Sequence, residues 1–204
     1  MKIICIGMNY VKHIEEFAGE IPPNPVFFLK PETALLRNNQ PFFYPDFTKN
    51  LHGEVELVLR ICRVGRSIPE RFASRYISEI GLGIDFTARD IQEECKKKGL
   101  PWEIAKGFDY SAPISPYFIP VGEFKNVNNI NFRLELDGKS VQNGNSANLI
   151  FSFNRIIAYV SQFITLKIGD LIFTGAPDRT GCVETGCNLK GYIDDKQMLD
   201  FDIK

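Results

Sequence analysis

Two glutamates one residue apart, Glu54 and Glu56 in His52-Gly53-Glu54-Val55-Glu56, and an aspartate about thirty residues further on, Asp85, are the side chains best spaced for chemistry. Glu54-Val55-Glu56-Leu57-Val58-Leu59-Arg60 alternates polar and apolar residues, the period of a half-buried strand. Residues two apart on a strand leave from one face, so the two glutamates would stand roughly 6–7 Å apart at the backbone. Carboxylates placed this way repel one another unless a cation joins them. An all-oxygen set suits Mg²⁺ or Mn²⁺, with Ca²⁺ also possible, rather than zinc. Asp85 ends the apolar stretch Gly81–Ile84 and would make a third ligand, leaving positions for a bidentate substrate. The same alternation describes any solvent-facing strand, so on pattern alone both readings stay open.

Other candidates are few. The chain has two histidines. His13 and Glu16, three apart, would be neighbours on a helical turn, or simply a solvated pair in a polar segment. His52 reads as structural. Lys106 follows the apolar Ile104-Ala105 and could present its ammonium to a carboxylate or a developing oxyanion, or lie exposed. Arg89 and Gln92, also three apart, could face a substrate together; Arg89 could equally bridge to Asp85 or Glu93. Thr174, before Gly175-Ala176-Pro177, could offer its hydroxyl to a substrate oxygen or cap a turn. Trp102, the single tryptophan, reads as core.

The elements that must position these residues are mostly strands. Met1–Gly7 reads as a buried strand running into a turn, Val26–Leu29 as a short buried strand, and Leu82–Phe86 as another. Ser67-Ile68-Pro69-Glu70 predicts a helix capped by Ser67, with apolar positions to Ile80. Thr87-Ala88-Arg89-Asp90 has the form of a capped helix start, and Gly99 would end that helix after Lys98. Asp137-Gly138 between Phe132–Leu136 and Lys139–Gln142 predicts a hairpin. Leu149–Phe163 carries apolar residues at helical spacing, and Leu171–Phe173 reads as a strand. The class is α+β, mainly β, in a single domain over 1–204.

Composition narrows the partners. Lys+Arg 24 against Asp+Glu 25 leaves a net charge of −1, which argues against a nucleic-acid ligand. The longest apolar stretches are too short to span a bilayer, so no membrane partner is expected. Five scattered cysteines without a CxxC pair point to reduced thiols and a cytoplasmic location rather than a disulfide frame.

Taken in order, several motifs resemble the fumarylacetoacetate hydrolase family, in its compact branch of acylpyruvases and oxaloacetate decarboxylases. They are Gly7-Met8-Asn9-Tyr10 with His13 and Glu16, Pro25-Val26-Phe27-Phe28-Leu29-Lys30-Pro31, His52-Gly53-Glu54-Val55-Glu56-Leu57, Asp85-Phe86-Thr87-Ala88-Arg89-Asp90, Gly99-Leu100-Pro101-Trp102 with Ala105-Lys106, and Gly169-Asp170 with Thr174-Gly175. The resemblance implies a mixed β-roll or barrel-like fold with a few inserted helices, often a homodimer. It implies Mg²⁺ or Mn²⁺ held by Glu54, Glu56 and Asp85, and a 2-oxo acid substrate whose carboxylate and keto oxygens chelate that ion. The expected reaction is hydrolysis of a C–C bond in an acylpyruvate, the pyruvyl part leaving as a chelated enolate, with His13 and Glu16 activating water and Lys106 assisting. Arg89, Gln92 and Thr174 would bind substrate. The alternatives at the same site are oxaloacetate decarboxylation, isomerisation of a 2-hydroxyhepta-2,4-diene-1,7-dioate or keto–enol tautomerisation, or a metal-binding homologue without turnover. The chain departs from the family pattern at Met8, where relatives commonly have arginine, and at Ala176, where they commonly have threonine.

Overall fold

The computed structural model describes residues 1–11, 20–177 and 182–204. The two long apolar runs in the first half of the chain become its longest strands, β4 (Leu51–Ile61) and β5 (Ile77–Ala88), paired antiparallel along nearly their whole length. They lie inside a six-stranded mixed sheet with β1 (Ile3–Gly7), β2 (Val26–Lys30), β7 (Ile119–Pro120) and β10 (Leu171–Phe173), in the order β2-β1-β10-β4-β5-β7. A second, four-stranded sheet holds β8 (Asn131–Leu136), β9 (Lys139–Asn145), β11 (Asn188–Ile193) and β12 (Lys196–Asp202), in the order β12-β11-β8-β9. A short parallel pair, β3 (Leu35–Leu36) with β6 (Ala112–Pro113), completes the strands described. The α-helices lying wholly within the described residues are α1 (Arg89–Lys98), α2 (Glu103–Lys106) and α3 (Phe153–Phe163). The α+β, mainly β class holds. Barrel-like closure does not: among the described residues the six-stranded sheet is open, with β2 and β7 at its edges.

The main core is built by one face of the β4–β5 pair. Leu51, Val55, Leu57, Leu59 and Ile61 from β4, with Ile80, Leu82, Ile84 and Phe86 from β5, join Phe132, Leu134, Leu189, Leu199 and Phe201 of the second sheet. The two sheets meet closely enough that a side chain at Gly191 would fall 2.6 Å from Leu82. The opposite face of the pair is also covered. There Val58 meets Ile3, Cys5, Leu171 and Phe173 in a smaller cluster. Alternation in β4 therefore does not mark a solvent-facing strand, because Glu54 and Glu56 are as buried as the apolar residues beside them.

β10 is too short to accompany β4 along its length, and side chains satisfy the backbone beyond it. Val55 N–H donates to Gln142 Oε1 at 2.7 Å, and Leu57 O accepts from both the N–H and the hydroxyl of Thr174. At the end of β5 the chain enters α1 directly, with Ala88 at the cap position and no side-chain cap. Thr87 fails to cap because its hydroxyl donates to Glu54 Oε2 at 3.3 Å. Gly99, at φ 64°, closes the helix in the left-handed conformation expected of it.

Two predicted helices are shorter or tighter than their spacing suggested. The segment after Ser67 forms a 3-10 helix at Glu70–Tyr76, and Ser67 itself, at φ 51°, caps nothing there. Its N–H donates to Ser161 O, and Ile68 N–H to Ser161 Oγ, so α3 dictates its conformation. The helix read from Leu149 begins at Phe153, where Ser152 Oγ accepts from Arg155 N–H. Residues 150 and 151 are held off the helix by Asn9, whose backbone O and Oδ1 accept their N–H groups at 2.9 and 2.7 Å.

Gly83 lies under the cover of the smaller cluster, where an added Cβ would fall 2.5 Å from the Phe173 ring and 2.8 Å from Val58. Gly83→Ala is expected to lower the free energy of unfolding by about 1–3 kcal/mol in a urea titration. Gly122→Ala, with nothing within 4 Å of the new methyl, should stay within about 0.5 kcal/mol of wild type. Equal stability of the two variants would refute this account of the sheet.

Candidate active site

Register alone assembles the acidic cluster. Glu54 pairs directly with Asp85 across β4 and β5, and Glu56 follows opposite Gly83. Directly opposed residues share a face, as do residues two apart, so all three carboxylates leave the sheet on the side away from the main core. Their oxygens lie within 4.8 Å of one another, and the three residues are only 2–3 % exposed.

Buried carboxylates this close must be compensated. Lys106 Nζ donates to Glu54 Oε2 at 2.8 Å and to Asp85 Oδ2 at 2.6 Å. Arg89 spans Glu54 Oε1 at 2.5 Å and Gln92 Oε1 at 2.7 Å. Lys30 Nζ lies 2.7 Å from Asp85 Oδ1 and donates to the carbonyls of Phe86 and Ser111. Glu56 accepts from the backbone N–H of Gly175 at 2.6 Å. Burial, and then the Asp85 charge, push the Glu56 carboxyl well above the usual carboxylate range against that N–H bond. Burial would lower the Lys106 ammonium, but the Asp85 and Glu54 charges outweigh it and hold it above its ordinary value.

The donor set fits a hard divalent cation. All the candidate ligands are carboxylate oxygens. Asp85 Oδ1 is buried 2.7 Å from the Lys30 ammonium, and a carboxylate oxygen so placed keeps a further lone pair for a metal. Above the carboxylates is a cavity of about 280 Å³. Arg89, Gln92, Lys96 and Lys106 line it from the helices; Ile6, Met8, Phe28 and Ala176 line it from the strand ends, with Trp102 at the side. Trp102 meets Phe28 edge-on at 6.3 Å, so the single tryptophan is a cavity wall rather than core. Gly175 turns the chain at φ 106° beside Asn9, where a Cβ would fall 2.8 Å from that residue's own Cβ. Asn9 Nδ2 donates to Thr174 O at 2.8 Å and fastens the end of β10 to the turn after β1.

Six of the residues singled out in the sequence thus meet here: Glu54, Glu56, Asp85, Lys106, Arg89 and Gln92. Thr174 does not join them, because its hydroxyl donates to Leu57 O at 3.0 Å; its neighbour Gly175 reaches the cluster instead, through its N–H. His13 and Glu16 lie outside the described residues. His52 contacts Asn50 Oδ1 at 3.0 Å and does not line the cavity. Lys30 stands in the motif Pro25–Pro31 without an assigned role, although a lone charge closing the apolar run Val26–Leu29 is a signal for one. Lys96 was signalled only by its spacing of four from Gln92. Nothing in the sequence marks the Gly175 N–H.

The sequence matches the family described as fumarylacetoacetate (FAA) hydrolase C-terminal over residues 2–199. It is 41% identical over 202 residues to "Oxaloacetate tautomerase FAHD1, mitochondrial" of Mus musculus, covering 99% of this chain and 91% of that one. It is 42% identical over 194 residues to "Oxaloacetate tautomerase YcgM" of Escherichia coli (strain K12), covering 95% and 88%. Among solved structures, fumarylpyruvate hydrolase from Pseudomonas aeruginosa in complex with Mn²⁺ and pyruvate matches at a TM-score of 0.93 and 35% identity, over 100% of this chain and 89% of that one. The chain belongs to the fumarylacetoacetate hydrolase family, and the expectation of an enzyme of that family holds.

Removing the Lys30 cation would leave Asp85 Oδ1 buried without its cation, with Lys106 pairing only Oδ2. Lys30→Met is expected to destabilise the metal-free protein by about 3–5 kcal/mol, with part of the loss recovered when Mn²⁺ is added. Thermal melts with and without Mn²⁺ test this, and an unchanged melting temperature in both would refute it.

Proposed function

We propose that this protein is a divalent-metal-dependent enzyme for a small 2-oxo acid, and that its principal reaction is the keto–enol tautomerisation of oxaloacetate. The observation that carries the reading is the meeting of Glu54, Glu56 and Asp85 in one small cavity with the ammonium of Lys106. The two tautomerase relatives, each about two-fifths identical over nearly the whole chain, support oxaloacetate over an acylpyruvate. Keto–enol tautomerisation therefore ranks ahead of the C–C hydrolysis expected from the sequence.

Glu54, Glu56 and Asp85 would hold Mg²⁺ or Mn²⁺, which supplies Lewis-acid polarisation of the 2-oxo oxygen. Interconversion of the tautomers moves one proton between C3 and that oxygen, and no group leaves. It therefore needs no attacking water, which agrees with the carbon-lined strand side of the cavity at Ile6, Met8, Phe28 and Ala176. In this proposal the Lys106 ammonium, held charged by Glu54 and Asp85, stabilises the negative charge that develops on the 2-oxo oxygen, while Arg89 and Gln92 orient the substrate's carboxylate from α1. The second reading, cleavage of an acylpyruvate, is favoured by the Mn²⁺- and pyruvate-bound fumarylpyruvate hydrolase of the same fold. It requires a base for water, the part proposed for His13 with Glu16.

The five cysteines are free thiols, which supports a reducing compartment. The word mitochondrial in the mouse relative's name makes a mitochondrial location as good a fit as the cytoplasm. Among the described residues no helix is long and apolar enough to cross a membrane. A homodimer is part of the proposal, on the family resemblance.

The decisive assay follows loss of the enol form of oxaloacetate, using protein stripped of metal and then given Mg²⁺ or Mn²⁺. Wild type should respond to the metal, Glu54→Ala should lose the response, and Lys106→Met should be slower by about 10²-fold or more in kcat. Full activity in Glu54→Ala would rule out the acidic cluster. Faster cleavage of acetylpyruvate, abolished by His13→Ala, would return hydrolysis to first place.

A further inference from the structure

Thr174 and Gly175 share one peptide unit, and both of its polar ends are bonded. Its N–H donates to Glu56 Oε2 at 2.6 Å, and its C=O accepts from Asn9 Nδ2 at 2.8 Å. A peptide unit is planar with its N–H and C=O on opposite sides, so fixing one end aims the other. Sterics do not fix it here. Gly175 stands at φ 106°, and a glycine accepts either sign of φ, so turning the unit about its long axis costs the backbone little. The bonds from Thr174 N–H and Oγ1 to Leu57 O secure the residue ahead of the unit and leave that rotation open. Turned over, the unit would present its C=O to the Glu56 carboxylate in place of its N–H. Asn9 holds the plane against this. It is 0% exposed, and its own carboxamide is fixed: Oδ1 accepts from Phe151 N–H at 2.7 Å, and Nδ2 donates to Phe151 O at 3.2 Å. That two-point pairing admits one orientation of the amide and leaves the second Nδ2 hydrogen for Thr174 O. An asparagine offers one acceptor and two donors at this reach; neither aspartate nor leucine does.

We propose that Asn9 is a positioning residue of the metal site: through the Thr174–Gly175 peptide it orients the Glu56 carboxylate as a ligand. This rests on the metal-dependent reading above and extends it to a residue outside the cavity lining. The two hydrogen bonds run in series, amide to peptide and peptide to carboxylate, and each polarises the other in a buried setting. A ligating carboxylate depends on such outer partners for its orientation, and their loss typically costs about 10–100-fold in metal affinity. The remaining ligands, Glu54 and Asp85, are set by the pairing of β4 with β5. Glu56 alone takes its orientation from the end of β10, so the effect of Asn9 falls on that one ligand.

Mn²⁺ binding is measured by titration calorimetry for wild type, Asn9→Leu, Asn9→Asp and Ser161→Ala, and the Gly175 amide is followed by NMR in the metal-free proteins. Asn9→Leu should raise the Kd for Mn²⁺ about 10–100-fold and move the Gly175 amide proton upfield as its bond to Glu56 loosens. Asn9→Asp keeps the size and the acceptor for Phe151 N–H but has no Nδ2. It should weaken Mn²⁺ binding by a similar factor, although an added negative charge by itself favours a cation. Ser161→Ala removes a buried hydroxyl that accepts from Ile68 N–H away from the cavity lining, and so controls for lost stability. Its Kd should match wild type. An unchanged or tighter Kd in either Asn9 variant, an equal rise in Ser161→Ala, or an unmoved Gly175 amide would each overturn the assignment. A wild type that binds no Mn²⁺ refutes the metal reading itself, whereas wild-type affinity retained by the Asn9 variants refutes only the role of Asn9.

Discussion

Three carboxylates on one face of a pair of buried strands are the constraint around which the molecule is arranged. Pairing of Glu54 with Asp85, and the two-residue step to Glu56, place the negative charges together whatever the rest of the chain does. In so dry a setting they cannot all stay ionised without cations. Lys30 comes from β2, Lys106 from α2 and Arg89 from α1, so three separate elements are drawn against the β4–β5 pair to supply them. The same electrostatic requirement that would favour a divalent cation thus also organises the surrounding fold.

Two further features turn a charged patch into a cavity. β10 stops at Phe173, which leaves the β4 edge to be closed by Thr174 and Gln142 and frees the Gly175 N–H to reach Glu56. Asn9 then ties the turn after β1, the end of β10 and the entry to α3 into one knot, at 0% exposure. Met8 and Ala176 lie on either side of that knot and line the cavity with carbon. The departures from the family pattern therefore fall together on one wall, while the helix wall keeps its charges.

That asymmetry bears on how one fold serves several reactions. Hydrolysis, decarboxylation and tautomerisation of 2-oxo acids share the need to stabilise negative charge on the C2 oxygen, and differ in whether water must be delivered. A site can keep the shared part on rigid strands and vary the rest at its rim. Here the acidic cluster, the part such reactions would share, is held by backbone register.

Much of this was legible in the sequence. Alternation around Glu54 and Glu56 gave the strand and its shared face, Gly99 gave the end of α1, and Asp137-Gly138, with φ of 49° and 76°, gave the hairpin turn. These are local properties, set by side-chain period and backbone sterics within a few residues. The pairing of Glu54 with Asp85, the burial of both faces of β4, the commitment of Thr174 to Leu57, and the arrival of Lys30 and the Gly175 N–H at the cluster belong to the tertiary structure. Each depends on which strand lies beside which and on what covers the sheet, and a side chain's neighbours across a fold leave no trace in its own segment. The sequence by itself determined that three carboxylates would be available on strands; the packing of β2, α1, α2 and the end of β10 decided that they would be buried, compensated and open to a ligand from one side.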